Sequence, residues 1–316
     1  MRVIDSHVHF PSEKIIDDGG KEDSGNGITP SVPASDKNKK PAEHPWLKEE
    51  RQRWKRAWRF PDAEKLAPDE AFKRWQGEYQ SRPHLKKIVS VTAGGNDFAA
   101  ELMQKDPGHF IAYAHHDPLL SDAPERLENA LGPLGLKGYK LLGPRIEVPL
   151  NDKRFYPLWE IAQSKEVPLL IHFGILGGAG GIANHININP LVIHDVAKDF
   201  PGLPIIIPHF GCGYVLETLN LCWACPNVFI DTSGSNQWMR WVPYELNLEI
   251  IFRKLRETIG AGRVLFGTDS SWFPRGFSEI YLDEQVRSMV YVGYSEDELD
   301  AVLYRNAAAL LKIETT

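Results

Sequence analysis

Two histidines stand two residues apart near the start of the chain, His7 and His9 in the segment DSHVHF. In an extended strand successive side chains alternate, so both imidazoles leave the same face. Two imidazoles on one face can chelate one cation, and imidazole with carboxylate suits Zn²⁺, Mn²⁺, Fe²⁺ or Co²⁺. His172 and Asp269 can add a third and a fourth ligand. A catalytic zinc wants about three protein ligands and an open position holding water. Asp269 could instead accept the proton of that water.

These residues are far apart in sequence, so a fold must gather them. Eight short β-rich apolar runs recur: residues 2–10, 86–94, 109–117, 135–143, 167–174, 203–211, 227–234 and 263–271. Several are apolar without alternation, as expected of parallel strands covered on both faces. Helical patterns fit between them: Asp97–Lys105, Asp122–Leu131, Asp152–Lys165, a helix opened by Pro190, and Leu246–Ile259. Ser295 with Glu298 reads as a capping box before LDAVLYRNAAALL. Strands alternating with helices, with no Rossmann-type start, predict an α/β fold, a (β/α)8 TIM barrel formed by one domain over residues 1–316. A barrel's active site lies at the C-terminal ends of its strands. Those ends carry Asp5, His7, His9, His115, His116, Lys140, His172, His209 and Asp269. Six of the 11 histidines are among them, which random placement would not favour.

One interval breaks the rhythm. The first two strands are separated by a long insertion, residues 11–85. Residues 17–45 are rich in Gly, Ser, Pro and charge and read as a flexible loop. Residues 46–82 read as a helical cap, with Leu47, Trp54 and Trp58 at helical spacing and Phe72 and Trp75 beyond. The first βα loop opens on the catalytic face, so the insertion could be a lid; the alternative is an aromatic stripe packed as core. The basic run around Lys55 and Arg56 reads as a solvated face.

With these residues in place, the chain resembles the amidohydrolase superfamily of metal-dependent barrels. The likeness is carried by DSHVH, the strand-4 lysine in GYKLLGPR, IHFG, PHFG and GTDS. More narrowly it resembles the amidohydrolase-related family that includes aminocarboxymuconate semialdehyde decarboxylase, resorcylate decarboxylases and several hydrolases. KRFYPLWEIAQSKEVPLLIHFG, CPNVFIDTSG and YRNAAALL look like that family too. The likeness covers residues 1–10 and about 86–316 and leaves out the insertion. It implies His7, His9, His172 and Asp269 as metal ligands and His209 as a base or proton shuttle, so that Asp269 and His209 are the catalytic pair. It implies a divalent transition metal, with Zn²⁺ the first choice and Mn²⁺ the second. One ion is favoured, or two if Lys140 is carbamylated. An unmodified Lys140 would bind a substrate anion or pair with an acid.

Other residues offer further roles. Arg145, just past strand 4, could clamp a substrate carboxylate with its bidentate fork or form a surface salt bridge. Lys140 and Arg145 are thus the substrate-binding candidates. Asp5 reads as a partner orienting a histidine. His115 and His116 read as structural hydrogen-bonding groups. The CWAC pair, Cys222 and Cys225, reads as helix packing, since a lone CxxC has no second pair to close a zinc site. GILGGAGGIANH (174–185) reads as a loop beside His172, not a nucleotide site. Ser270 and Ser271 lie in no GxSxG elbow.

Composition bounds the function. A formal net charge of -6 argues against nucleic acid as partner. No apolar run reaches the roughly 18 residues of a membrane span, and MRVIDSHVHF lacks a secretory pattern. Three cysteines suit a reducing cytoplasm. The expected function is a metal-dependent hydrolase whose activated water attacks a carbonyl of an amide, lactone or related bond in a small, carboxylate-bearing substrate. The alternative is a non-oxidative decarboxylase of the same family, and a non-catalytic binding barrel ranks third. The family's dimers imply a homodimer, though no sequence feature encodes one.

Overall fold

The computed structural model describes residues 1–10, 14–17, 21–24, 45–58, 61–174 and 185–313. Most of the 17–45 segment and residues 175–184 therefore lie outside the described residues, as do the side chains of Leu47, Trp54, Lys55 and Trp58. Among the described residues, eight parallel strands run in chain order: β1 Val3–His9, β2 Leu85–Thr92, β3 Phe110–Ala112, β4 Tyr139–Leu142, β5 Leu169–His172, β6 Ile205–Ile207, β7 Val228–Asp231 and β8 Val264–Leu265. They form two hydrogen-bonded arcs, β1-β2-β3 and β4-β5-β6-β7-β8. Parallel bridges at Ala114–Tyr139 and Val8–Ser270 join the arcs at both seams and close the ring. The second seam is firm: Ser6 N–H donates to Phe266 O at 3.0 Å and Asp269 N–H to His7 O at 2.9 Å. β8 pairs with β7 over only two residues, because beyond Leu265 its backbone turns to β1 instead.

The ring interior is apolar below and polar above. Ile4, Val89, Val91, Ile111, Leu170, Ile206 and Leu265 fill it, with Tyr304, Ala307, Ala308 and Leu311 of the C-terminal segment packed against them. Each such side chain stabilises the fold by about 1.5–3 kcal/mol on burial. The capping box at Ser295 is present, with Ser295 N–H donating to the Glu298 carboxylate and Glu298 N–H to Ser295 Oγ.

Within the insertion, α1 spans Pro45–Trp58 and α2 spans Pro68–Gln80. A two-stranded antiparallel ribbon, Lys14–Asp17 and Lys21–Ser24, precedes them. α2 leads directly into β2, and its buried Ala71, Phe72, Trp75 and Tyr79 face the ring. Phe72 packs on Phe10 and Phe110, and Trp75 stands edge-on to Phe273 at 5.5 Å. α2 thus occupies the place of a ring helix, and its aromatic residues are core. Among the described residues no helix is long and apolar enough to cross a membrane.

Candidate metal centre

The strand ends converge as a closed ring requires. β1 carries a register irregularity between Asp5 and Val8 and another at Val8–His9. Bulges re-aim side chains, and here both imidazoles turn inward: His7 Nε2 and His9 Nε2 are 3.3 Å apart. Asp269 Oδ1 is 3.1 Å from His9 Nε2 and 3.7 Å from His7 Nε2. Cation bonds of about 2.1 Å place neighbouring donor atoms roughly 3.0–3.4 Å apart. The triangle formed by these three atoms has nearly that size, so the residues fit one divalent ion.

His209 joins the same group, its ligand atom lying with those of His7 and Asp269 within 4.8 Å of one another. It is presented by a turn in which His209, Phe210, Gly211 and Cys212 all have positive φ. Gly211 is required there, since a Cβ at that position would lie 2.1 Å from Thr218 Oγ1. Asp269 also has positive φ, 53°. Non-glycine residues rarely adopt this conformation, and it is retained here at two side chains of the cluster. His172, at the end of β5, stands with its ring centroid 5.0 Å from that of His209. Lys140 is fully buried on β4, its Nζ 3.4 Å from His7 Nε2. Arg145 ends a 3-10 turn, Gly143–Arg145, directly after β4 and is half-buried.

The proton positions follow from the partners. His7 Nδ1–H donates to Asp231 Oδ2 at 2.5 Å, and His209 Nδ1–H donates to the carbonyl of Ser233 at 3.0 Å. Both rings therefore turn Nε2 inward. His9 Nδ1 contacts Thr92 Oγ1 at 2.6 Å, a hydroxyl that serves either tautomer. Burial, reinforced by Lys140, pushes the His7 imidazole down to about 3 against the pull of Asp231 and Asp269. Burial opposes ionisation of Asp269, but His209, His9 and His7 hold its carboxyl well below the usual range. Burial brings the Lys140 ammonium down to about 8, with Asp269 and Asp231 acting the other way. Burial keeps His7 and His9 neutral while Asp269 is ionised, donors of the kind a divalent transition ion takes.

One assignment changes, and one residue is added. Asp5 orients no imidazole. Its carboxylate accepts from the backbone N–H and hydroxyl of Thr268 and from the backbone N–H of His7, tying β1 to the segment before Asp269. The residue that orients His7 is Asp231, at the end of β7, absent from the sequence-based set. Its signal was there: VFID is an apolar strand ended by a carboxylate, as at Asp269. His115 and His116 are structural, donating to the carbonyls of Lys140 and Ala123. Cys222 and Cys225 are free and buried, and burial pushes the Cys222 thiol up to about 12.

Comparison with known proteins agrees with this architecture. A TIM-barrel protein of uncharacterised function from Bordetella bronchiseptica superposes with a TM-score of 0.66 at 19% identity, covering 99% of each chain. A probable 2-pyrone-4,6-dicarboxylic acid hydrolase from Acinetobacter baumannii, with citric acid bound, gives 0.60 at 14% identity over 99% of this chain and 100% of its own. The 5-carboxyvanillate decarboxylase of Novosphingobium aromaticivorans, complexed with manganese and 4-hydroxy-3-methoxy-5-nitrobenzoic acid, gives 0.56 at 17% identity over 76% and 80%. No curated protein matches the chain. The family profile described as amidohydrolase matches residues 4–313, nearly the whole chain, and the protein therefore belongs to the amidohydrolase family of enzymes.

Proposed function

We propose that the protein is a metal-dependent hydrolase acting on a carbonyl of a small, carboxylate-bearing substrate such as a lactone or amide. The observation that carries this reading is the 3.1–3.7 Å triangle of His7 Nε2, His9 Nε2 and Asp269 Oδ1. These three would hold the ion, with His172 as the fourth ligand and zinc or manganese as the metal. The ion supplies Lewis acidity, polarising a carbonyl and making water more acidic. Asp269 is ionised and partly open to the pocket, so it takes up a proton from water. His209, its Nδ1–H held by Ser233, receives that proton from Asp269 on Nε2 and passes it to the leaving group. Arg145 clamps the substrate carboxylate, and Lys140 places positive charge beside the reacting carbonyl.

Decarboxylation is the second reading, favoured by the solved decarboxylase that shares the fold. There His209 would deliver the proton to carbon while the carboxylate leaves as CO2. The two reactions differ in the fate of water. Incubation in H₂¹⁸O with carboxylated lactones, cyclic amides and hydroxyaryl carboxylates should put one ¹⁸O into the hydrolysis product. CO2 release without label uptake would overturn the hydrolase reading.

Metal content tests the centre itself. The purified protein should hold about one zinc or manganese per chain, or about two if Lys140 is carbamylated. His7→Ala with His9→Ala should abolish binding, as read by elemental analysis after dialysis. A double variant that keeps its metal would show these ligands to be wrong.

A further inference from the structure

We propose that Asp231 and Ser233, at the end of β7, are positioning residues that lock the protons of two imidazoles on Nδ1 and so present both Nε2 atoms to the ion. The inference rests on the metal-site reading above and extends it to a strand that contributes no ligand. Asp231 is fully buried and has two engaged oxygens: Oδ2 takes His7 Nδ1–H at 2.5 Å and Oδ1 takes Ser233 N–H at 2.6 Å. Ser233 O takes His209 Nδ1–H at 3.0 Å, and Ser233 Oγ lies 3.2 Å from His7 Nδ1 and 3.0 Å from His209 Nδ1. One three-residue strip thus grips both rings from behind.

A carbonyl or an ionised carboxylate only accepts, so each bond requires a proton on Nδ1. In the neutral ring, Nε2 is then a bare acceptor. His7 Nε2 faces another acceptor, Asp269 Oδ1, at 3.7 Å. Two acceptors turned toward one point are unfavourable without positive charge beside them; Lys140 Nζ, 3.4 Å from His7 Nε2, supplies some, and a divalent ion between the two acceptors would satisfy both. The surroundings are built for this grip. A Cβ on Gly267 would lie 2.9 Å from His7 Cβ, 3.0 Å from Ser233 Cβ and 3.2 Å from Asp231 Oδ1, so only glycine lets β8 approach the pair.

The test is zinc affinity, measured by competition with a fluorescent chelator, in Asp231→Asn, Asp231→Ala and Asp269→Asn. Asp231→Asn keeps size and one acceptor, and should weaken zinc about 10–100-fold, the usual effect of losing a carboxylate behind a ligating histidine. Asp231→Ala should weaken it further. A second readout needs no metal: long-range ¹H–¹⁵N spectra of the metal-free protein should show His7, assigned by its loss in His7→Gln, protonated at Nδ1. In Asp231→Asn that signal should shift toward the Nε2–H tautomer. Wild-type affinity in folded Asp231 variants, with Asp269→Asn weakened, overturns this proposal alone. Wild-type affinity in Asp269→Asn as well overturns the metal reading beneath it. Should Asp231→Ala fail to fold, Asp231→Asn and the tautomer of the wild-type His7 decide, and Nε2 protonation there refutes the proposal.

Discussion

Asp269→Asn is expected to lower kcat/KM by about 10³–10⁴-fold, the scale of losing a general base that also serves the catalytic charge. Two carboxylates lie near the imidazoles, but their exposures differ. Asp231 is sealed, whereas the Asp269 side chain keeps 29% of its surface open and contacts both β1 histidines. Asparagine keeps the size and loses the charge, so the proposed ligand and the proposed base disappear together. The substitution is also conformationally mild. Asp269 has a φ of 53°, and asparagine is among the few residues that tolerate the left-handed region. Its backbone N–H bond to His7 O survives, so β8 stays anchored to β1. A near-wild-type melting temperature should therefore accompany the loss of activity. Activity within tenfold of wild type, on whichever substrate class the labelled-water assay identifies, would remove Asp269 from the chemistry.

Much of this site was legible in the sequence because one geometric rule governs it: catalytic groups sit where parallel strands end. The rule places His7, His9, His172, His209 and Asp269 at one end of the ring, and the structure brings them together there. It would have located Asp231 too. Asp231 is nonetheless hard to read from sequence, because a buried carboxylate behind a ring leaves no spacing pattern of its own. Asp5 drew the orienting role because it shares a face of β1 with both histidines. Same-face parity fixes direction and says nothing of depth, and two residues back along the strand its carboxylate reaches Thr268 instead of a ring. The shortness of β8 was likewise hidden, since pairing length depends on a partner strand more than two hundred residues away. The insertion was legible as helical, but a helical aromatic stripe reads alike on a lid and on a ring helix. Only the position of α2 directly before β2, with Trp75 buried, separates the two.

Trp75→Ala turns that distinction into a measurement. Trp75 has no exposed surface and stands edge-on to Phe273, which lies four residues past Asp269. Truncating a buried tryptophan costs about 3–5 kcal/mol through lost transfer energy and the cavity left behind. At about 2–4 °C per kcal/mol for large domains, the melting temperature should fall by roughly 10 °C. The cavity would open beneath the segment that follows Asp269, so activity should fall with stability. Trp75→Phe is the comparator. The indole Nε1 is buried without a hydrogen-bond partner among the described residues, so replacing it forfeits no bond seen there. Phenylalanine keeps an aromatic ring and leaves a smaller cavity, so it should cost roughly half as much as the alanine substitution. A lid helix would behave otherwise: its truncation would raise KM and leave the melting temperature in place, because a lid contributes to the closed complex more than to the resting fold. A Trp75→Ala protein that melts with the wild type while binding substrate poorly would therefore move α2 out of the ring and into the gate.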